Sequence, residues 1–564
     1  MYSKSDFMLT RRHYSFLIFA TIILLGIQCD EPNSPTIFNM SISITPDDAG
    51  TVIPSQDLSL PENETIQILA QPSNQYAFTG WTGSISSNQN PLTVTVTENI
   101  DLTANFLIKN YPLTVYTVGS GTVIESIITS KTDYDHGTIV QLQAIAEDGW
   151  IFSGWSGAYS SDQDIIEITV ESELTITATF VIDKVEPVPV TKTNDMKIFV
   201  HYMPWFQSAP YDGFWGTHWT MSNRNPNNII DGQRDIASHF YPLIGPYSSK
   251  DPDVAEYHLL LMKYAGIDGI FIDWYGTYDV NDYRLNLEGS ENIIDLIDEV
   301  GLEFGIVYED QTTAKVVNAG EASTTIEAAT NDWQYIQNNY FSNPNYTRVD
   351  GNPLALVWTP IEIESGSAWS QILADVDPNL MLLALWYQVG DLGSNGDGEY
   401  GWVYGGNGNH MQEIINFYNN RLNRYDLGIG TVYPGFVDFY EEGGQGDVIG
   451  WEIPHSTLQL TLDLATQYNV DYLQLVTWND FGEGTIFEPT VETGYTYLET
   501  VQTFAGVSPD SDVIGHFETI YDLYQARKEY ADNENIQEQL DLAFNYLVIL
   551  QPTDARNILQ NLNR

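Results

Sequence analysis

The sequence predicts an α/β chain: a (β/α)8 TIM barrel preceded by two small all-β repeat modules and followed by a short helical tail. Three observations carry this prediction. A repeat occupies the chain before residue 182, apolar strand-like runs alternate with helical stretches from residue 197, and amphipathic helical periodicity follows about residue 512. With 564 residues the chain is too long for one core, and 43% hydrophobic against 17% charged residues excludes a disordered chain.

Charge and cysteine usage narrow the function classes. The chain has 21 Lys+Arg against 76 Asp+Glu, a net charge of −55, and such a field repels polyphosphates, so no nucleic-acid partner is expected. A neutral substrate is favoured for the same reason. The one Cys excludes an internal disulfide framework and any Cys-cluster metal site.

That Cys closes the first element. Residues 1–29 carry Arg11, Arg12 and His13, then the apolar run from Phe16 to Leu25, then Cys29, an export pattern too short to span a bilayer. The segment resembles a bacterial lipoprotein signal. The resemblance implies lipidation at Cys29, a tether over 30–36, a membrane partner through an N-terminal lipid anchor, and residence at the bacterial outer membrane or cell surface.

Residues 37–108 and 109–182 form the repeat. Gly80-Trp81-Thr82-Gly83 recurs as Gly154-Trp155-Ser156-Gly157, and the run ending at Phe106 recurs at Phe180, both 74 residues on. Apolar and polar residues alternate between turn residues, the signature of antiparallel β modules. A Trp between two glycines at the same place in each copy reads as core rather than as a sugar platform. The modules resemble divergent internalin-type B-repeats, which implies a spacer role. Pro187 and Pro189 mark residues 183–195 as a linker.

The barrel is expected over 196–510. Its strand-like runs are 197–205, 266–276, 302–310, 352–360, 379–388, 427–436 and 470–480, with an indistinct eighth near Gly401 to Gly405. Continuous apolar strands separated by helices indicate a parallel sheet covered on both faces. A doubly wound sheet normally carries a Gly-rich phosphate loop after its first strand, and none is present. The tail, 511–564, reads as two amphipathic helices.

In such a barrel chemistry sits at the C-terminal ends of the strands. Those ends hold His201, Tyr202 and Trp205, then Asp273 and Trp274, then Tyr308 and Glu309, then Trp358, Trp386 and Tyr433. Aromatic faces stack on sugar rings and carboxylates bind hydroxyls, so these residues are expected to bind glycan. The last strand runs into Thr477-Trp478-Asn479-Asp480-Phe481-Gly482-Glu483-Gly484, followed by Glu488-Pro489. Asp480 and Glu483, three apart in a glycine-loosened turn, are the expected catalytic acid and base, with Trp478, Asn479 and Glu488 beside them as substrate contacts.

The runs HYMPWF, GIDGIFIDWYG and VYPGF, and above all TWNDFGEG with its trailing EP, resemble glycoside hydrolase families 71 and 99 over roughly residues 197–510. The first family cleaves α-1,3-glucan; the second acts as endo-α-mannosidase or endo-α-mannanase. The resemblance implies an endo-acting hydrolase of a neutral α-linked polysaccharide, an α-mannan or an α-glucan. Family 99 carries two glutamates in N-E-x-x-E; the second falls on Glu483 and the first is replaced by Asp480, whereas family 71 carries Asp and Glu at these places. The shorter Asp leaves room for a water and favours inversion over the anhydro-sugar route associated with family 99. The alternative is a catalytically silent glycan-binding surface lipoprotein, which would have lost one of the two carboxylates. No cofactor or catalytic metal is expected, since the histidines are scattered. The acidic loop Asn395 to Glu399 is compatible with a structural Ca²⁺ without matching an EF-hand.

Overall fold

The computed structural model describes residues 34–125, 133–406, 408–446, 449–508 and 513–562. Cys29, the export signal and the start of the tether lie outside the described residues. The chain divides into two compact units after Val181.

The first unit holds the two β modules, which share one topology. In module one Ile37–Thr45 runs parallel to Ile100–Ile108, flanked by Leu58–Pro61 and Tyr76–Gly83, and a second sheet joins Gly50–Ile53, Thr65–Pro72 and Leu92–Thr95. Module two repeats the order with Asn110–Val118 parallel to Leu174–Ile182. Trp81 and Trp155 are buried, each donating its indole N–H to a backbone carbonyl, of Gln89 at 3.0 Å and of Gln163 at 2.9 Å. They are core residues because the residue that follows the bulging glycine points between the two sheets.

The second unit is a closed eight-stranded parallel barrel. Its strands are β1 (Lys197–Tyr202), β2 (Gly269–Trp274), β3 (Glu303–Glu309), β4 (Asn352–Trp358), β5 (Met381–Leu385), β6 (Gly398–Tyr400), β7 (Leu427–Val432) and β8 (Tyr472–Leu475). Pairing of β8 with both β7 and β1 closes it. Nearly every strand residue is buried, because one face fills the barrel and the other lies under helices. Five of these helices matter below or set the pattern: α1 (Pro252–Tyr264), α2 (Tyr283–Val300), α3 (Thr325–Asn339), α4 (His410–Asn420) and α5 (Leu458–Gln467).

Two expectations are corrected here. The sixth strand is Gly398–Tyr400, and residues 401–405 are the loop that follows it. It was illegible because it is only three residues long and its middle residue is a buried glutamate, held by two hydrogen bonds from Arg421 at 2.6 and 2.8 Å. Glu399 and Asp397, the acids of the loop read as compatible with Ca²⁺, are engaged there: Asp397 accepts the Leu382 N–H at 2.8 Å. The tail holds three helices rather than two, α6 (Phe517–Glu529), α7 (Glu534–Val548) and α8 (Pro552–Asn561). α6 packs on α1 through the buried pair Arg527–Glu256 at 3.0 Å, and Lys528 reaches Asp251, the N-cap of α1, at 2.6 Å.

Candidate active site

At the C-terminal end of the barrel a cleft of about 280 Å³ opens on the axis, and the parity of each strand decides which side chains reach it. His201, Asp273, Glu309 and Trp358 end their strands pointing inward and line the cleft, as do Trp205, Asp480 and Glu483. Their neighbours point the other way. Tyr202, Trp274 and Tyr308 are fully buried in the wall: Trp274 lies 6.1 Å from the Tyr335 ring, and the Tyr308 hydroxyl donates to Asp332 at 3.2 Å.

The other residues expected to contact sugar are not among those that line the cleft. Trp386 packs 5.5 Å from Phe417, and Tyr433 is buried with its hydroxyl 3.0 Å from His410 Nδ1. Trp478, Asn479 and Glu488 are wholly buried behind the cleft. Adjacent strand-end residues alternate sides, so a motif of consecutive aromatics and acids sends only about half of its members to the axis.

The last strand leads into a small hairpin in which Asn479 pairs with Ile486 and Asp480 with Thr485. Gly484 takes φ of +68°, and a Cβ there would stand 2.8 Å from the Val437 carbonyl, so only glycine lets the turn close against the β7 loop. Asp480 is fixed twice: its N–H donates to Thr477 Oγ1 at 2.8 Å, and its Oδ1 accepts the Glu483 N–H at 2.9 Å. Glu483 Oε1 accepts the Tyr440 hydroxyl at 3.2 Å.

Electrostatics separate the two acids. Burial pushes Asp480 up to about 6, against hydrogen bonds from the Glu483 and Gly482 amides and the nearby charge of His218. Burial and the Asp480 charge hold Glu483 well above the ordinary carboxyl range. Of the pair, Glu483 therefore holds its proton to higher pH than Asp480, the order that a general acid beside a general base requires. On the opposite wall burial raises Glu309 to about 8, and burial with the Glu309 charge raises Asp273, the two sharing a hydrogen bond.

Aromatic and imidazole faces complete the cleft. The Trp358 and Trp402 rings meet at 4.5 Å and 71°, with His201 edge-on to Trp402 at 4.8 Å. Burial lowers His201 to about 3, so it presents a neutral imidazole. His218 stacks on Trp205 at 4.1 Å, and its Nε2 lies 3.4 Å from Asp282. No Lys or Arg is among the described residues that line the cleft.

Tyr275, expected at the rim with the other strand ends, lines the cleft, and His218, Trp402 and Tyr440 line it without having been expected there. Trp402 and Tyr440 sit in loops, and His218 in the one-turn helix Thr217–Thr220. The one available signal was the length of the segment between β1 and α1, which carries His218. Among the described residues no cluster of His, Asp and Glu is arranged to hold a metal ion.

The chain was compared with known proteins. The family model "Glycosyl hydrolase family 99" matches residues 193–379, and "Divergent InlB B-repeat domain" matches 40–110 and 111–184. A human glycoprotein endo-alpha-1,2-mannosidase-like protein is 23% identical over 342 residues, covering 54% of this chain and 71% of its own. A Xenopus laevis glycoprotein endo-alpha-1,2-mannosidase is 24% identical over 334 residues, covering 53% and 70%. A solved family 99 endo-alpha-mannosidase from Bacteroides thetaiotaomicron aligns over 55% of this chain and 96% of its own, at 18% identity and a TM-score of 0.43.

Proposed function

Starting from a chain that is an endo-alpha-mannosidase-like glycoside hydrolase, with a family 99 domain behind two divergent B-repeats, we propose that it cuts a neutral α-linked polysaccharide internally, an α-mannan before an α-glucan. The observation that carries this is the carboxyl pair that one hairpin brings into the cleft, Asp480 and Glu483, with Glu483 the one that burial and its neighbour hold protonated to higher pH. Glu483 gives its proton to the glycosidic oxygen as the bond from C1 breaks, and Asp480 takes a proton from the water that forms the new C1–O bond. Solvent exchange then restores both groups.

Water is assigned the attack because Asp480 is one methylene shorter than the glutamate of the family motif. That difference is about 1.5 Å, enough to admit a water opposite the leaving group. The outcome is inversion. Trp358, Trp402 and Trp205 offer faces for pyranose stacking, and Asp273 and Glu309 offer acceptors and a donor for hydroxyls. A cleft whose described lining has no Lys or Arg offers no permanent cation to pair with sulfates or uronates, which favours the neutral glycan.

Digestion of a panel of α-mannans and α-glucans with product sizing tests the substrate. Asp480→Asn and Glu483→Gln are expected to lose at least about 1,000-fold in kcat while still binding glycan. NMR of the first product tests the stereochemistry: a new reducing end in the α configuration refutes inversion. Lipidation at Cys29 is proposed with the same function, placing the enzyme at the outer membrane or cell surface. Cys29→Ser is expected to release it from the membrane fraction.

A further inference from the structure

Three residues first read as sugar contacts, Tyr202, Asn479 and Glu488, meet behind the cleft with Tyr247 and His258 in a ring of polar contacts. The Tyr202 hydroxyl lies 3.3 Å from His258 Nδ1, and His258 Nε2 and Glu488 Oε1 face each other at 3.3 Å without a hydrogen bond between them. The Tyr247 hydroxyl donates to Glu488 Oε2 at 2.7 Å and accepts from Asn479 Nδ2 at 3.0 Å. Asn479 clamps the backbone of Met203, accepting its N–H at 2.8 Å and donating to its carbonyl at 3.0 Å. Met203 follows Tyr202, which closes the ring.

Each member comes from a different part of the wall: β1, the segment before α1, α1 itself, and the two legs of the hairpin that holds Asp480 and Glu483. Asn479 precedes Asp480, and the Glu488 N–H donates to the Trp478 carbonyl at 2.9 Å. Asn479, His258 and Glu488 have no exposed surface, and Tyr202 and Tyr247 are 1% and 4% exposed. Burying a carboxylate and an imidazole this deeply is costly, and apolar side chains of the same size would pack a barrel wall without that cost. The polar ring therefore serves something besides packing.

We propose that Asn479, Tyr247 and Glu488 are positioning residues of the hydrolysis. The ring pins both legs of the hairpin to β1 and α1, holding the Asp480 and Glu483 carboxyls at their working separation. It rests on the function proposed above. An acid and a base that act on one bond need such a frame, and a displacement of about 1 Å at a reacting group lowers turnover roughly 100-fold.

Tyr247→Phe removes a single oxygen and breaks the ring at its centre. The expected result is a fall in kcat of about tenfold or more with KM within about twofold, since the hairpin shifts while the sugar faces stay. Glu488→Gln keeps an acceptor for Tyr247 and turns an amide N–H toward His258, whose neutral ring can accept it at Nε2, and is expected to retain kcat within about threefold, whereas Glu488→Ala falls with Tyr247→Phe. A Tyr247→Phe enzyme with the parent's kcat overturns the proposal, as does a Glu488→Gln enzyme as impaired as Glu488→Ala. If Tyr247→Phe does not fold, Asn479→Ser breaks the same link and is judged by the same split. Should the parent cleave none of the glycans, the function proposed above fails by itself. Crystal structures of the parent and Tyr247→Phe then decide the positioning role: an Asp480 carboxylate displaced by about 0.5 Å or more supports it, and an unmoved one overturns it.

Discussion

Lowering the pH from 7 to 5 is expected to remove the base from the candidate active site. Asp480 titrates at about 6, because burial of its carboxyl outweighs the two backbone hydrogen bonds and the His218 charge that favour the ion. About nine-tenths of it is ionised at pH 7 and about one-tenth at pH 5, so kcat/KM falls about tenfold across that interval. Glu483 is held high by burial and by Asp480, so it gives up its proton at higher pH than Asp480 does. The profile is a bell whose two limbs belong to the coupled pair.

His218→Gln sharpens the test. Its charge is one of the forces lowering Asp480, so removing it moves the acid limb to higher pH. The assay is the initial rate of reducing-end release from pH 4.5 to 9 at constant ionic strength, with circular dichroism recording the fold at each point. A rate unchanged down to pH 5, or a His218→Gln limb displaced to lower pH, would refute the assignment of Asp480 as the base.

Two further predictions concern stability. Arg527→Met leaves Glu256 buried without its cation, a loss of about 3–5 kcal/mol. With about 2 cal/mol/K of unfolding entropy per residue over the unit from Ile182 to Arg564, that is roughly 4–6 °C in Tm at pH 8. Arg527→Met/Glu256→Gln recovers part of it, and a double variant no more stable than the single would sink the account. Acidification from pH 8 to 6.5 is expected to raise the Tm. Burial holds Glu309 at about 8 and Asp332 at about 7, above their unfolded values, so the stability they contribute is complete at low pH and lost as pH rises through those values. His201 and His455, lowered to about 3 and 4, oppose this only below their ordinary 6.5. Calorimetry checks the sign, and a Tm falling between pH 8 and 6.5 would show that these carboxyls are ionised in the fold.

Much of the architecture follows from local physics. A strand covered on both faces must be apolar throughout, so seven of the eight barrel strands stand out as uninterrupted runs. The modules stand out because the same buried positions recur 74 residues apart, Trp81 with Trp155 and Phe106 with Phe180. β6 does not, since Glu399 is neutralised by Arg421 from α4's far end, and local composition carries no trace of a partner 22 residues away.

The candidate site divides along the same line. Asp480 and Glu483 are neighbours on one short hairpin, so the chain itself brings them together whatever surrounds it. Which member of each pair faces the axis, His201 or Tyr202, Asp273 or Trp274, Glu309 or Tyr308, depends on the stagger with which eight strands close into a barrel. A one-residue slip would exchange every one of them. His218, Trp402 and Tyr440 reach the cleft from the connections between strands, and the charge state of each acid is set by the burial that closure imposes. The residue types of the chemistry were thus present in the sequence alone, while their orientation and protonation were decided by the tertiary structure, because both depend on neighbours that only the closed barrel supplies.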